Sequence, residues 1–99
     1  MQSWLVCYDI KGGAAKDKKR LRKIAICCED FGERRQYSVF LCRLSATDFA
    51  RLRARLYDLL DLKVDQVLFI PLCGKCVQQI ETLGLPTEPA DVRDVVIVS

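Results

Sequence analysis

Asp9 closes the apolar run WLVCYD, and six Lys and Arg then crowd the eight residues from Lys16 to Lys23. A carboxylate at a strand end can hold a hard cation such as Mg²⁺, which takes one or two carboxylates and fills its other positions with water and phosphate oxygens. Clustered Lys and Arg neutralise phosphates without reading sequence. Together they point to nucleic acid, with the cationic side chains on the phosphates and the acid on the metal. Each feature also has an ordinary reading. A strand-end Asp commonly makes a turn or caps a helix, and a run of cations is often the solvated face of a helix. Cys73 and Cys76, in LCGKC, have the spacing of half a zinc site or of a redox pair, although a turn after a strand accounts for the segment more simply. The chain contains no His, which removes Ser–His, Cys–His and His–metal chemistry.

The elements that must position these residues fit one domain: 99 residues, 51% of them hydrophobic. Net charge is +3, from 16 Lys and Arg against 13 Asp and Glu, but it is unevenly spread. Lys11 to Lys23 carries seven cations and only Asp17, whereas Glu81 to Ser99 is mostly acidic. That asymmetry suggests a face for a polyanion. The apolar runs are strand-sized, too short to span a bilayer. The N-terminus MQSWLVCYDIKGG lacks the basic start and cleavage site of a signal peptide, so a cytosolic protein is expected. Six Cys could mean a disulfide framework. However, Cys7 and Cys42 fall within expected strands and Cys27 and Cys28 within an expected helix, where a free Cys acts as a small hydrophobe.

Ser3 to Asp9 reads as a first strand, and Gly12 and Gly13 loosen the chain after it. From about Lys16 to Asp30, Leu21, Ile24, Ala25 and Cys28 recur at helical spacing and make one buried stripe. Gly32 suits a left-handed helix end. The stretch ERRQYSVFLCRL is long enough for one strand or for an edge strand near Glu33 to Tyr37, a tight bend, and a strand from Ser38 to Leu44. The second reading is preferred because the topology needs a hairpin here, although no Gly or Pro marks the bend. Ser45 and Asp48 have capping-box spacing. They open a second helix striped by Phe49, Leu52, Leu56, Leu59 and Leu60, with Arg51, Arg53 and Arg55 largely outside the stripe. Gln66 to Leu72 is a further strand, and Val95 to Val98 a last one after a Gly/Pro-marked connection. The order β-α-β-β-α-β predicts an α+β, ferredoxin-like split βαβ sandwich over residues 1–80, with 81–99 as connection and extra C-terminal strand. Both helices then cover one sheet face. The other face is apolar and bare, which predicts a two-fold homodimer, with the last strand pairing at the dimer edge.

The segments YDI, RLRKIA, EDFGERRQYSVFLCRL and DQVLFIPL, in that order from about residue 4 to 76, resemble the CRISPR-associated adaptation protein family, the small endoribonuclease-type partner of the CRISPR integrase; the terminal DVVIV also fits. The resemblance implies a prokaryotic, cytoplasmic, ferredoxin-like homodimer that sits between integrase subunits and helps insert spacer DNA into the repeat array. It also implies metal-dependent endonuclease activity on single-stranded RNA or duplex DNA. The family's catalytic and metal-holding acid falls on Asp9, preceded by Tyr8. Its helix-one cations fall on Lys18, Lys19, Arg20 and Arg22, its following arginine on Arg34, and its SVF on Ser38, Val39 and Phe40. Arg35 stands where an apolar residue is usual, and Leu41 where an acid often follows Phe.

One acid suffices if two copies converge: Asp9 of both subunits would share Mg²⁺ or Mn²⁺. Lys18, Lys19, Arg20, Arg22, Arg34 and Arg35 would hold the sugar–phosphate backbone. Tyr8 and Phe40 could stack on an unpaired base, at about 1–3 kcal/mol, or pack in a core. Three function classes therefore compete: an adaptation scaffold, a stand-alone metal-dependent or toxin-like endoribonuclease, and a redox or metal module built on Cys73 and Cys76.

Overall fold

The structure, a computed structural model, describes residues 1–85. The expected strand at Val95 to Val98 lies outside the described residues. Four strands form one antiparallel sheet in the order β2-β3-β1-β4: β1 (Gln2–Asp9), β2 (Gly32–Gln36), β3 (Val39–Leu44) and β4 (Gln66–Leu72). Helices α1 (Ala15–Phe31) and α2 (Ala46–Leu59) complete the βαββαβ order, and a short α3 (Gly74–Gln78) stands where only a turn was expected. The fold is α+β and ferredoxin-like.

Alternation along the strands decides which side chains meet the helices. Val6 and Tyr8 of β1, with Phe40, Cys42 and Leu44 of β3, pack against Ile24, Cys27 and Cys28 of α1 and Leu52 and Leu56 of α2. Trp4, Phe49 and Phe69 extend this core, with Trp4 stacked on Phe49 at 4.3 Å between ring centroids. The opposite parity points away from the helices. Leu5 and Cys7 lie across from Leu41 and Val39 on one side and from Ile70 and Leu68 on the other. That face is open and apolar, with Leu68 47% and Ile70 40% exposed. No described helix is long and apolar enough to cross a membrane.

Two glycines work differently from the sequence expectation. Gly32 does not adopt the left-handed conformation: its φ of −165° is extended, and it is already the first residue of β2. Glycine is needed there because a Cβ would collide with the Cys42 thiol and the Leu41 carbonyl. Helix α1 therefore runs into the edge strand with no linker. Gly12, expected to loosen the chain, is a fixed left-handed turn at φ 103°, where any Cβ would meet the Asp17 carboxylate. The β2–β3 bend falls on Tyr37 and Ser38. No described non-glycine residue has positive φ, and a bulge between Arg34 and Gln36 sets the pairing before the turn.

Candidate nucleic-acid and metal site

Asp9 ends β1, opposite Gln66, with the same parity as Leu5 and Cys7. Its carboxylate therefore belongs to the open face, at the end of the sheet where the chain turns toward α1. It is exposed, and Oδ2 lies 3.0 Å from Lys11 Nζ. An exposed ion pair of this kind contributes little stability, so a cation can displace Lys11 at small cost. Among the described residues there is no cluster of three or more Cys, Asp or Glu able to enclose a metal. One chain supplies a single carboxylate at this position.

What fixes the Asp9 end of the sheet is Asp65, in the loop between α2 and β4. Its side chain is wholly buried and accepts four hydrogen bonds. Arg20 Nε donates to Oδ2 at 2.8 Å and Arg20 Nη2 to Oδ1 at 3.2 Å. The amides of Lys11 and Asp61 donate at 3.0 and 2.9 Å. Arg20 also donates to Asp17 Oδ1 at 2.8 Å and to the Lys11 carbonyl at 3.0 Å. Burial alone pushes the Asp65 carboxyl upward, but the bonds from Arg20 and the two amides outweigh it and hold the group below its usual range. Asp17 is lowered as well, first by its hydrogen bond from Arg20. The Arg20 guanidinium is held yet more firmly in its charged form by Asp65 and Asp17.

Arg20 is thus already engaged within the chain. Expected on phosphates, it is committed within the fold and binds the loop after Asp9 to α1 and to the loop before β4. Lys18, Lys19 and Arg22, expected on phosphates, are differently placed. They are exposed and have no ion-pair partner among the described residues, and Arg22 lies four positions after Lys18 and three after Lys19 on α1. The chain passes from Asp9 to Ala15 through a five-residue loop, so this part of α1 begins at the Asp9 end of the sheet.

Tyr8 and Phe40, for which both a base and a core were open, lie in the core. Phe40 is fully buried and Tyr8 nearly so; their rings stack at 6.1 Å inside the core. Burial pushes the Tyr8 phenol up to about 12, and its hydroxyl donates to the Tyr37 carbonyl at 3.4 Å. Neither ring has a face to offer a base. Arg34 is half-buried, its guanidinium 5.1 Å from the Phe40 ring centre, 5.7 Å from that of Tyr37 and 3.7 Å from Glu29. Arg35 pairs with Glu33 at 3.2 Å. On α2, Arg51 pairs with Asp48 and Arg55 with Asp30, leaving Arg53 exposed on the same helix.

Residues 1–80 match the family described as CRISPR associated protein Cas2. The chain belongs to the Cas2 family. A CRISPR-associated endoribonuclease Cas2 of Chlorobaculum tepidum is 33% identical over 94 residues, covering 95% of this chain and 97% of that protein. A CRISPR-associated endoribonuclease Cas2 of Moorella thermoacetica is 37% identical over 81 residues, covering 82% and 84%. The crystal structure of Streptococcus pyogenes Cas2 at pH 6.5 superposes with a TM-score of 0.74 and 40% identity, covering 83% of this chain and 99% of that one.

Two residues of this Cas2 chain escaped the sequence reading. Asp65 gave no local signal, because its partners Arg20 and Lys11 are 45 and 54 positions away. Lys11 could have been found, since it lies two residues past Asp9 and a short loop brings such a cation back to a strand-end acid.

Proposed function

We propose that this Cas2-family protein acts in CRISPR adaptation as a two-fold homodimer holding nucleic acid between integrase subunits. The observation that carries the proposal is the shared parity of Asp9 with the open apolar face. If two copies bury Leu5, Leu41, Leu68 and Ile70 against each other, each brings an Asp9 on the joined face and an α1 ridge that starts from the same end of the sheet. Lys18, Lys19 and Arg22 then engage phosphates from both subunits, and affinity falls steeply with salt and depends little on sequence. The test is to mix the purified protein with its cognate integrase and a short duplex at low salt. A stable ternary assembly is expected; its absence overturns the scaffold reading.

The exposure of Asp9 favours a second, compatible reading as a metal-dependent endonuclease acting on single-stranded RNA or duplex DNA. A single carboxylate is a weak site for Mg²⁺ or Mn²⁺, but Asp9 from two copies together with substrate phosphate oxygens makes an adequate one. Such an ion supplies an activated water and neutralises charge on the scissile phosphate. The chain's own residues do the rest. Lys11 moves from Asp9 to a phosphate oxygen, the Asp65–Arg20 clamp keeps the loop after Asp9 fixed, and the α1 ridge orients the strand. Asp9→Asn should abolish cleavage while dimer formation and nucleic-acid binding persist. Cleavage that survives this substitution, or a chelator, removes the nuclease reading and leaves the scaffold untouched.

A further inference from the structure

At the far end of β4 from Asp9, roughly 20 Å away at strand spacing, the CGKC segment forms a site that the nucleic-acid reading does not use. Cys73 and Cys76 are both exposed, and their Sγ atoms lie 3.3 Å apart. The Cys76 amide donates to Cys73 Sγ at 3.4 Å, since Cys73 is the residue that opens α3. Gly74, between them, has open space where a side chain would stand, so a reagent can approach the pair from that side. The other four thiols differ. Cys27, Cys28 and Cys42 are buried in the core and Cys7 is partly buried in β1.

We propose that Cys73 and Cys76 form a reversible dithiol–disulfide site that exchanges with small-molecule disulfides, Cys73 attacking first and Cys76 resolving. The Cys73 thiolate attacks one sulfur of R–S–S–R, forming a Cys73–S–S–R bond and expelling R–S⁻. The Cys76 thiolate then attacks Cys73 Sγ, closes the internal disulfide and expels the second R–S⁻. Two electrons pass from the protein dithiol to the reagent, and the two thiol protons end on the two R–S⁻ leaving groups. The order of attack follows the environment of each sulfur. The Cys76 amide, then the Cys76 thiol, hold Cys73 below the ordinary thiol range, whereas the hydrogen bond to Cys73 raises Cys76. Thiolate character and access together select the reactive cysteine. Burial pushes Cys28 up to about 12 and Cys42 up to about 11, which leaves them inert.

The test treats the reduced full chain with oxidised glutathione at neutral pH, followed by acid quench, alkylation of remaining thiols and intact-mass measurement. The native protein should lose two hydrogens and two alkylatable thiols, retain no glutathione, and recover both thiols on reduction. Cys76→Ser should trap one glutathione on Cys73. Cys73→Ser should react at least about tenfold more slowly than Cys76→Ser. The proposal is overturned if the native chain accumulates a stable glutathione adduct, if Cys73→Ser reacts as fast as Cys76→Ser, or if modification maps to Cys7, Cys27, Cys28 or Cys42. Both sulfurs are exposed, so the serine variants retain the fold, and circular dichroism matching the native chain confirms that each comparison is made on folded protein. None of these outcomes depends on Asp9 or on nucleic acid.

Discussion

The two ends of the sheet are built on opposite plans. At the Asp9 end, one buried carboxylate, Asp65, draws together the start of α1, the loop after β1 and the loop before β4 through four donated hydrogen bonds. At the Cys73 end, β4 is tied by the Gln2 side-chain amide, which donates to the Leu72 carbonyl at 2.8 Å, and the chain then passes into five residues of α3. The first end is braced by charge and the second by a neutral, exposed hydrogen bond. The bracing lies where a strand-end acid needs a fixed backbone, and the lightly held end carries the groups that can change covalent state without disturbing the core.

The sharpest way to break this contrast is to remove the brace. Asp65→Ala strands the half-buried Arg20 and two amides, and should cost about 3 kcal/mol, read as a shift in the urea-unfolding midpoint. The matching pair at the other end, Cys73→Ser with Cys76→Ser, should leave that midpoint almost where it was, as exposed substitutions usually do. If both ends respond alike, the contrast fails.

Acid titration sharpens it further. The Asp65 and Asp17 carboxyls are held below the ordinary value of 3.8 in the folded chain. Their contribution is therefore complete above that value and is lost as pH falls through the folded-state value. Stability should decline below about pH 4, and Asp65→Asn should flatten that decline. The Tyr8 phenol has the opposite sign of dependence. Raised from 10.0 to about 12, it stabilises fully below 10 and loses its contribution as pH rises through 12. Thermal unfolding across these two pH ranges checks both.

A smaller effect separates two arginines on one helix. Lys18→Gln with Arg22→Gln should lower the slope of log affinity against log salt for nucleic acid by about two, with stability nearly unchanged. Arg20→Gln should do the reverse, lowering the unfolding midpoint and leaving the salt slope in place. Fluorescence anisotropy at several salt concentrations distinguishes the two cases.

That pair also shows how far the sequence can be read. The two long helices, their buried stripes, β1 and β4 follow from spacing, because a 3.6-residue or two-residue period is a local property. The division of β2 from β3 rests on the topology instead, since no Gly or Pro marks the bend. Arg20 differs locally from Arg22 only in having Asp17 three residues before it; its contact with Asp65 spans 45 positions and leaves no local trace. The place of Tyr8, by contrast, is legible in principle. Neighbouring strand residues face opposite ways, so an Asp9 on the open face requires Tyr8 to lie in the core. Gly32 is special for a different reason from a helix end, and crowding against Cys42 in β3 cannot be seen in its own flanking residues.

The direct passage from Phe31 to Gly32 couples two periodicities that a loop would normally keep separate. Adding one residue there would rotate α1 by about 100° relative to the strand or exchange the inner and outer sides of β2. Variation in chain length within such a protein should therefore avoid the Phe31–Gly32 junction, so that the helix and its edge strand pass through evolution as a single inherited piece.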